Sequence, residues 1–357
     1  MKPISFAVAI LALGAGAGAS ATAQAQSSVQ IYGLLDAGVD YASDAGAGGK
    51  SATRVSSGGM NTSRWGLRGS EDIGAGLKAV WNLEGGVLMD SGGADGALFR
   101  RQAYVGLDGK FGRVVLGRSF TSVYDTVIQF DPMGFAPFYS WATSGPATGP
   151  SKYGMTTGFD NMVKYAGATG AFKYGATFGF GEQSSGTRDS AKIATAVSYS
   201  ANGLGLMGTW ERVNGNTLAA SGRRDETTVI HAGATFETGA FKLYLVGRDY
   251  QAEPGNRTLR DVEGKTVWAG VAWKGLPNTT ITGAVYKIDV GNVAGGTDAD
   301  PVLYVARYRY ALSKRTDVYV AAAYAKAKNA RLTGLSRDDA GFADTQRGVI
   351  TGVQHRF

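Results

Sequence analysis

The stretch AFKYGATFGFG, residues 171–181, alternates between two kinds of side chain with a period of two. The apolar and aromatic positions are Phe172, Tyr174, Ala176, Phe178 and Phe180, and the small or polar positions between them are Lys173, Gly175, Thr177 and Gly179. Successive side chains of a β-strand point to opposite faces of a sheet. The stretch therefore predicts a strand with one apolar and one polar face.

The same alternation recurs along the chain and predicts about 16 strands. They are residues 28–41, 54–70, 76–89, 98–109, 112–120, 159–167, 170–181, 190–201, 204–214, 226–238, 240–251, 265–274, 278–290, 301–312, 316–328 and 346–357. Many of them have about 10 residues, the length of a tilted strand that crosses a bilayer.

Short turns and long polar loops alternate between these strands. The short turns are residues 71–75, 109–111, 167–170, 202–203, 238–239, 275–277 and 313–315, and the long loops are residues 42–53, 90–97, 121–158, 182–189, 215–225, 251–264, 291–300 and 329–345. Long loops on one rim and short turns on the other are typical of an outer-membrane barrel.

A transmembrane sheet must close on itself, because hydrocarbon offers no hydrogen-bond partner to an open strand edge. The last strand, Gly348–Phe357, alternates and can pair with residues 30–41 to close the ring. Sixteen strands leave a water-filled lumen, whereas eight would be filled by side chains. The fold class predicted is all-β, a 16-stranded antiparallel transmembrane β-barrel.

Residues 120–160 depart from this pattern, because they do not alternate and are far longer than an ordinary connection. They contain four of the eight prolines and the aromatic residues Phe130, Phe135, Phe138, Tyr139 and Trp141. Long loops of this kind are usually functional. We expect the segment to fold into the cavity that the strands enclose.

Composition defines the compartment and excludes several function classes. Residues 1–25 combine Lys2, a short apolar run and small residues before Ala25, which predicts a secretory signal peptide and a mature domain of residues 26–357. The chain has no cysteine and a formal charge of +7, without a basic run interleaved with aromatics, which argues against a nucleic-acid partner. Neither histidine has metal-ligand spacing, and no motif for a nucleophile, a phosphate or another cofactor occurs.

Several blocks of residues, spread over the mature chain, carry a further signal. They are Ser28–Gly33 with Asp36, Ser63–Gly74, Gly76–Val80, Arg101–Leu107, Gly117-Arg118, Leu312–Thr316 and His355–Phe357. In this order they resemble the general porins of Gram-negative bacteria, specifically the β-proteobacterial type. The resemblance implies a homotrimer in the cell outer membrane, in contact with lipid and lipopolysaccharide. Each barrel would be a passive channel for small hydrophilic solutes, narrowed by an inward-folded third long loop, Thr121–Gly158.

The resemblance also implies a basic ladder on the wall opposite this loop, made of Arg64, Arg101 and Arg118. Alternation independently directs Arg64 inward, and it places Lys164 on the same face as a further member. Residues 99–107 leave an alternative open. Apolar alternation sends Arg100 inward, whereas the porin motif puts Arg101 in the lumen; we favour Arg101.

The loop offers Tyr124, Asp125 and Asp131 as the group that faces the ladder. Three or four cations against two anions predict a net positive constriction and a modest preference for anions. At about 10 Å one excess charge is worth roughly 0.4 kcal/mol in water and about four times that at an effective dielectric of 20. A barrel enzyme would need a catalytic constellation at the rim, and a non-conducting barrel would lack the inward loop. Bound calcium, or lipopolysaccharide at acidic loops such as Arg337-Asp338-Asp339, stays open.

Overall fold

The structure is a computed structural model that describes residues 28–143, 153–256, 258–292, 298–329, 332–335 and 341–357. The predicted signal peptide and the Arg337-Asp338-Asp339 loop lie outside these residues. Within them the chain forms seventeen β-strands, one short α-helix and one 3-10 turn. No helix in the described ranges is long and apolar enough to cross a membrane.

The strands follow one another along the chain in antiparallel pairs. They are β1 Ser28–Gly46, β2 Lys50–Ser57, β3 Arg64–Gly74, β4 Leu77–Gly86, β5 Gln102–Gly109, β6 Gly112–Phe120, β7 Gly158–Thr169, β8 Phe172–Gly179, β9 Lys192–Ala201, β10 Leu204–Leu218, β11 Arg223–Thr238, β12 Phe241–Glu253, β13 Val262–Trp273, β14 Thr279–Gly291, β15 Val302–Ala311, β16 Thr316–Lys326 and β17 Thr345–Arg356. Helix α1, Ser122–Val127, and the 3-10 turn Ile128–Phe130 follow β6.

The sheet closes as predicted, because β1 pairs with the carboxy-terminal strand β17. Leu34 is opposite Arg356, and the pairing continues to Ala42 and Gly348. On its other edge, β1 pairs with β3 through its first half and with β2 through its second half. Strands β2 and β3 therefore share one position, and the ring has the sixteen positions that the sequence predicted.

Strand β8 confirms the two faces read from residues 171–181. Phe172 is 50% exposed and Phe178 is 38% exposed, both on the outside of the barrel. Thr177, on the alternate face, is fully buried and accepts a hydrogen bond from the backbone N–H of Ser122 in α1. An outward apolar face suits contact with lipid hydrocarbon, as in outer-membrane barrels.

The two rims also differ as predicted. The described connections at one end contain two to five residues, and the Asn202-Gly203 turn has the positive φ values, +50° and +80°, that a tight hairpin requires. Longer connections lie at the other end, among them 87–101, 121–157, 180–191 and 327–344. The predicted long loops 42–53 and 215–225 are shorter in the structure, because β1 and β2 extend into the first and β10 and β11 into the second.

The predicted strand 54–70 is broken at residues 58–63, which turn toward the lumen. Gly58 has a φ of +73°, and the backbone N–H groups of Met60 and Asn61 donate to Asp36 at 3.0 and 2.7 Å. Asp36 also accepts hydrogen bonds from Tyr319 and Gln354, both at 2.7 Å. This buried carboxylate holds the break closed, and local alternation gave no sign of it.

Candidate pore constriction

The third long connection, loop 3 (residues 121–157), lies inside the barrel. Thr121 caps α1 by accepting a hydrogen bond from the Tyr124 N–H at 3.0 Å. The Phe138 N–H donates to the Gly59 carbonyl at 3.0 Å, and the Tyr139 N–H donates to the Leu335 carbonyl at 3.1 Å. These bonds tie the loop to the strand break and to the last long connection. The loop thus narrows the lumen, as the sequence predicted; its residues 144–152 lie outside the described part of the chain.

Arg64, Arg101 and Arg118 line one cavity of about 340 Å³ between loop 3 and the barrel wall. Arg64 begins β3, and Arg118 lies near the end of β6. Arg101 stands just before β5, with its guanidinium carbon 5.1 Å from the centre of the Phe120 ring. The three residues that the porin resemblance assigned to a ladder therefore share one open space.

Glu84 on β4 is the residue of this cavity that the sequence reasoning missed. Its side chain accepts a hydrogen bond from Arg101 Nε at 2.7 Å and lies 3.8 Å from Arg64 Nε. Tyr32 also donates to it, at 2.8 Å. The signal was available, since Glu84 follows Leu83 on a strand where alternate positions face the lumen.

Arg100 also lines the cavity, but it differs from Arg101 in its partner. Its Nη2 lies 2.7 Å from Asp95 in the preceding loop. The conflict over residues 99–107 arose because the expected strand starts at Gln102 and not at residue 98. Alternation therefore says nothing about residues 98–101. The Leu98 carbonyl oxygen packs against Gly85, and a Cβ on residue 85 would lie only 2.1 Å from that oxygen.

Arg118 differs from the other three arginines in its close partners, and it also lines a neighbouring cavity with Asp160. Its Nε donates to the Arg100 carbonyl, and no carboxylate of the described residues lies within salt-bridge distance of it. The cavity lining as a whole contains four guanidinium groups and one carboxylate. Its electrostatic balance is therefore positive.

The expected acidic partners do not line this cavity. Lys164 on β7 pairs with Asp125 of α1 and donates to the Phe120 carbonyl at 2.9 Å. Both residues line a different cavity of about 550 Å³ near the short-turn rim, together with Arg113 and Lys173. The Lys164–Asp125 pair is thus largely neutral and separate from the three arginines, whereas Tyr124 lines their cavity.

Asp131 also lies away from the arginine ladder, contrary to the expectation, and it is buried. It accepts hydrogen bonds from Tyr286 on β14, from the Phe135 N–H at 2.6 Å and from Ser140 at 2.8 Å. Burial raises the pKa of this carboxyl, and the hydrogen bonds from Tyr286 and Phe135 oppose that shift. Asp131 therefore anchors loop 3 and does not line the cavity of the three arginines.

Two further arginines, which the sequence analysis did not single out, contact the other side of loop 3. Arg248 on β12 donates to the Ala142 carbonyl at 2.8 Å and to Thr266 at 2.9 Å. Arg307 on β15 donates to the Met133 carbonyl at 3.3 Å. Trp141, fully buried, donates to the Gly334 carbonyl at 3.2 Å. Loop 3 is therefore fixed to β12–β15 by its own backbone carbonyls.

The described residues hold no cluster of three or more side chains suited to a metal ion. His231 on β11 is buried, shares a hydrogen bond of 2.9 Å with Thr209 and packs edge-to-face on Trp268. His231 thus packs beside Trp268, whose Nε1 donates to the Phe130 carbonyl at the start of loop 3.

Comparison with known proteins decides the family. The model of the Gram-negative porins matches residues 7–330. The chain belongs to the Gram-negative porin family. It is 32% identical to outer membrane porin protein 32 of Delftia acidovorans, over 93% of this chain and 94% of that one. It is 28% identical to an outer membrane porin protein of Bordetella pertussis, with the same coverage.

A solved structure agrees with this membership. The anion-selective porin from Comamonas acidovorans superimposes with a TM-score of 0.79 at 26% identity, covering 93% of this chain and all of the other. The protein is thus an outer-membrane porin of the β-proteobacterial type, and a channel rather than an enzyme. In such a protein the working parts are the width of the pore and its fixed charges.

Proposed function

We propose that this porin is a passive diffusion channel for small hydrophilic solutes with a modest preference for anions. One observation carries the proposal: four arginines and one glutamate line the cavity between loop 3 and the wall. The similarity to an anion-selective porin from Comamonas acidovorans supports the same sign. Because about 10 Å of water reduces one excess charge to roughly 0.4 kcal/mol, the charges bias the flow and do not gate it.

In this proposal Arg64, Arg101 and Arg118 form the basic ladder, and Arg100 contributes from the loop before β5. Tyr124 contributes the facing surface, while Lys164 with Asp125 acts nearer the short-turn rim. Homotrimers would hold three such pores side by side, with the outward apolar faces against lipid and lipopolysaccharide. Chemical cross-linking of the refolded protein in detergent tests the trimer, and a monomer-only pattern would contradict it.

Electrophysiology tests the channel and its sign. In a planar bilayer the refolded protein should give ohmic steps in KCl, and a protein without steps would refute the channel itself. Under a KCl gradient the reversal potential should show that chloride is the more permeant ion. A cation-selective sign would contradict the positive constriction.

Arg64→Glu tests membership of the ladder, because it replaces a lining cation by an anion. The reversal potential should move toward cation selectivity. The matched control is Arg68→Glu, on the same strand and face but about 13 Å further along at roughly 3.3 Å per residue. Arg68 does not line the cavity and donates to Gln30 at 2.9 Å, so its substitution should move the potential less. Equal movement in both variants would remove Arg64 from the ladder.

A further inference from the structure

The loop side of the arginine cavity is uncharged and includes two aromatic side chains. Loop 3 contributes Tyr124, Ile128, Gly134, Phe135 and Thr157 to the lining, and none of these is charged. The opposite side carries the four guanidinium groups and Glu84. One side of the constriction is therefore cationic, and the other is uncharged and partly aromatic.

The aromatic side is continuous with the cationic side. The Arg101 guanidinium carbon lies 5.1 Å from the Phe120 ring centre, and Phe120 stacks on Tyr124 at 4.3 Å with an interplanar angle of 12°. Tyr124 in turn meets Phe135 edge-to-face at 5.0 Å. The rings are held rigidly, because Tyr124 lies in capped α1 and Phe135 is tied to Asp131 through its N–H. Rigid aromatic surfaces bind with little loss of side-chain entropy.

Arg118 supplies a charge that no carboxylate of the described residues neutralises at close range. A guanidinium group matches the geometry of a carboxylate, with two parallel N–H donors for two oxygens. A solute whose carboxylate meets Arg118 would have its remaining body against the loop side of the cavity. That body meets Tyr124 and Ile128, both of which are partly accessible.

We propose that this constriction binds aromatic carboxylates preferentially among the small anions that traverse it. The carboxylate pairs with the arginines, and the ring packs against Tyr124 and its neighbours. This inference rests on the proposed anion channel and names the class of solute that its narrowest part selects. An aromatic contact contributes about 0.5–1.5 kcal/mol beyond area burial, which is about 2- to 12-fold in affinity.

The experiment measures block of the chloride current by added organic anions. Trimers in a planar bilayer carry current in KCl while sodium benzoate, cyclohexanecarboxylate or acetate is added. Benzoate should block at about 2- to 12-fold lower concentration than cyclohexanecarboxylate, which has the same charge and a saturated ring of similar size. Acetate should be the weakest blocker. Equal block by benzoate and cyclohexanecarboxylate would overturn the aromatic preference.

Variants of the loop locate the effect. Tyr124→Leu should abolish the advantage of benzoate over cyclohexanecarboxylate, whereas Tyr124→Phe, which retains the ring, should keep it. Phe138→Leu is the matched control, because Phe138 lies in the same loop, packs against Tyr139 and does not line the cavity. A benzoate advantage that survives Tyr124→Leu would overturn the proposal.

The result also separates this inference from the channel itself. If the aromatic preference is wrong, ohmic steps and chloride selectivity persist while the three anions block alike or in the order of their size. If the channel proposal is wrong, no chloride current exists to be blocked. Each variant's block is normalised to its own current in KCl, so a change in pore width does not imitate a change in affinity.

Discussion

The two sides of loop 3 both meet arginines, yet they use them in opposite ways. On the open side Arg64, Arg101 and Arg118 line a cavity, and Arg64 and Arg101 share its single carboxylate, Glu84. On the filled side Arg248 and Arg307 are covered by the loop and donate to its backbone carbonyls. Burial makes the difference. A buried arginine whose N–H groups donate to carbonyls holds the loop in place, whereas an arginine that faces the open cavity presents its charge to passing ions.

The same contrast separates the two acids of the loop. Asp131 is 3% exposed and accepts hydrogen bonds from Tyr286, Ser140 and the Phe135 N–H. The Asp125 side chain, in contrast, is 50% exposed and forms an ion pair with Lys164. The sequence offered them as equivalents. In the structure Asp131 anchors the loop, whereas Asp125 is half-exposed and forms an ion pair with the buried Lys164.

The largest effect should come from Asp131→Ala. It leaves buried donors of Tyr286, Ser140 and Phe135 without a partner, and each such donor costs about 1–3 kcal/mol. We expect the urea unfolding transition of the refolded barrel, followed by intrinsic tryptophan fluorescence, to shift to clearly lower urea concentration. Asp125→Ala is the control and should cost less, because the Asp125 carboxylate is half-exposed and Lys164 keeps the Phe120 carbonyl as a hydrogen-bond acceptor. An equal loss in both variants would erase the contrast between the two acids.

A pair of arginine variants should divide selectivity from stability. Arg118→Gln removes an open-side charge and should lower the chloride-to-potassium permeability ratio by about twofold or more, from roughly 0.4 kcal/mol per charge in water. Arg307→Gln removes a filled-side charge; it should lower the stability of the barrel and leave the ratio nearly unchanged. Reversal potentials under a KCl gradient measure the first effect, and urea unfolding measures the second. A large selectivity change in Arg307→Gln would show that the filled side also reaches the pore.

Glu84→Gln should act in the opposite direction to Arg118→Gln. It removes the carboxylate that Arg64 and Arg101 share, so the permeability ratio should rise toward chloride, by about twofold at most. The same reversal-potential measurement detects it. A fall in the ratio would mean that Glu84 acts mainly by holding Arg101 in place, since losing that position would outweigh the gained charge.

The smallest effect should follow from salt alone. Raising KCl from about 0.1 to 1 M shortens the screening length from about 10 to 3 Å. Chloride selectivity should therefore weaken until the permeability ratio approaches the ratio of the chloride and potassium mobilities in free solution. The urea midpoint of the barrel, which depends on the buried Asp131, should change little. Selectivity that is insensitive to salt would point to direct coordination in place of a field across open water.

Much of the fold could be predicted because a membrane barrel requires strands with one apolar and one polar face, which appear in the sequence as a period of two. Phe172 and Phe178 alternate with Thr177 along β8, and the pairing of Gly348 with Ala42 closes the ring where alternation predicted it. The errors lie where the backbone leaves an extended path. Residues 58–63 turn inward to Asp36, and Leu98 crosses Gly85, so alternation failed at both places.

The site divides in the same way. The porin motif pointed to Arg64, Arg101 and Arg118, which line one cavity. Alternation supported only Arg64 among them, because Arg101 lies before β5 and outside any strand. Glu84 could have been found by the same alternation, since it lies on β4. Alternation also puts Arg307 on the polar face of its strand, but the role of Arg248 and Arg307 could not be predicted, because their partners are carbonyls more than a hundred residues away.

The sequence by itself determined the closed barrel, its two rims and the long aromatic loop inside it, because each follows from periodicity, length and the need to satisfy the backbone in lipid. Only the tertiary structure decided which charges are fixed bonds and which are free to act on ions. That division depends on burial and distance across the lumen. Asp131 and Asp125 are six positions apart in one loop, and only their surroundings tell the anchor from the exposed charge.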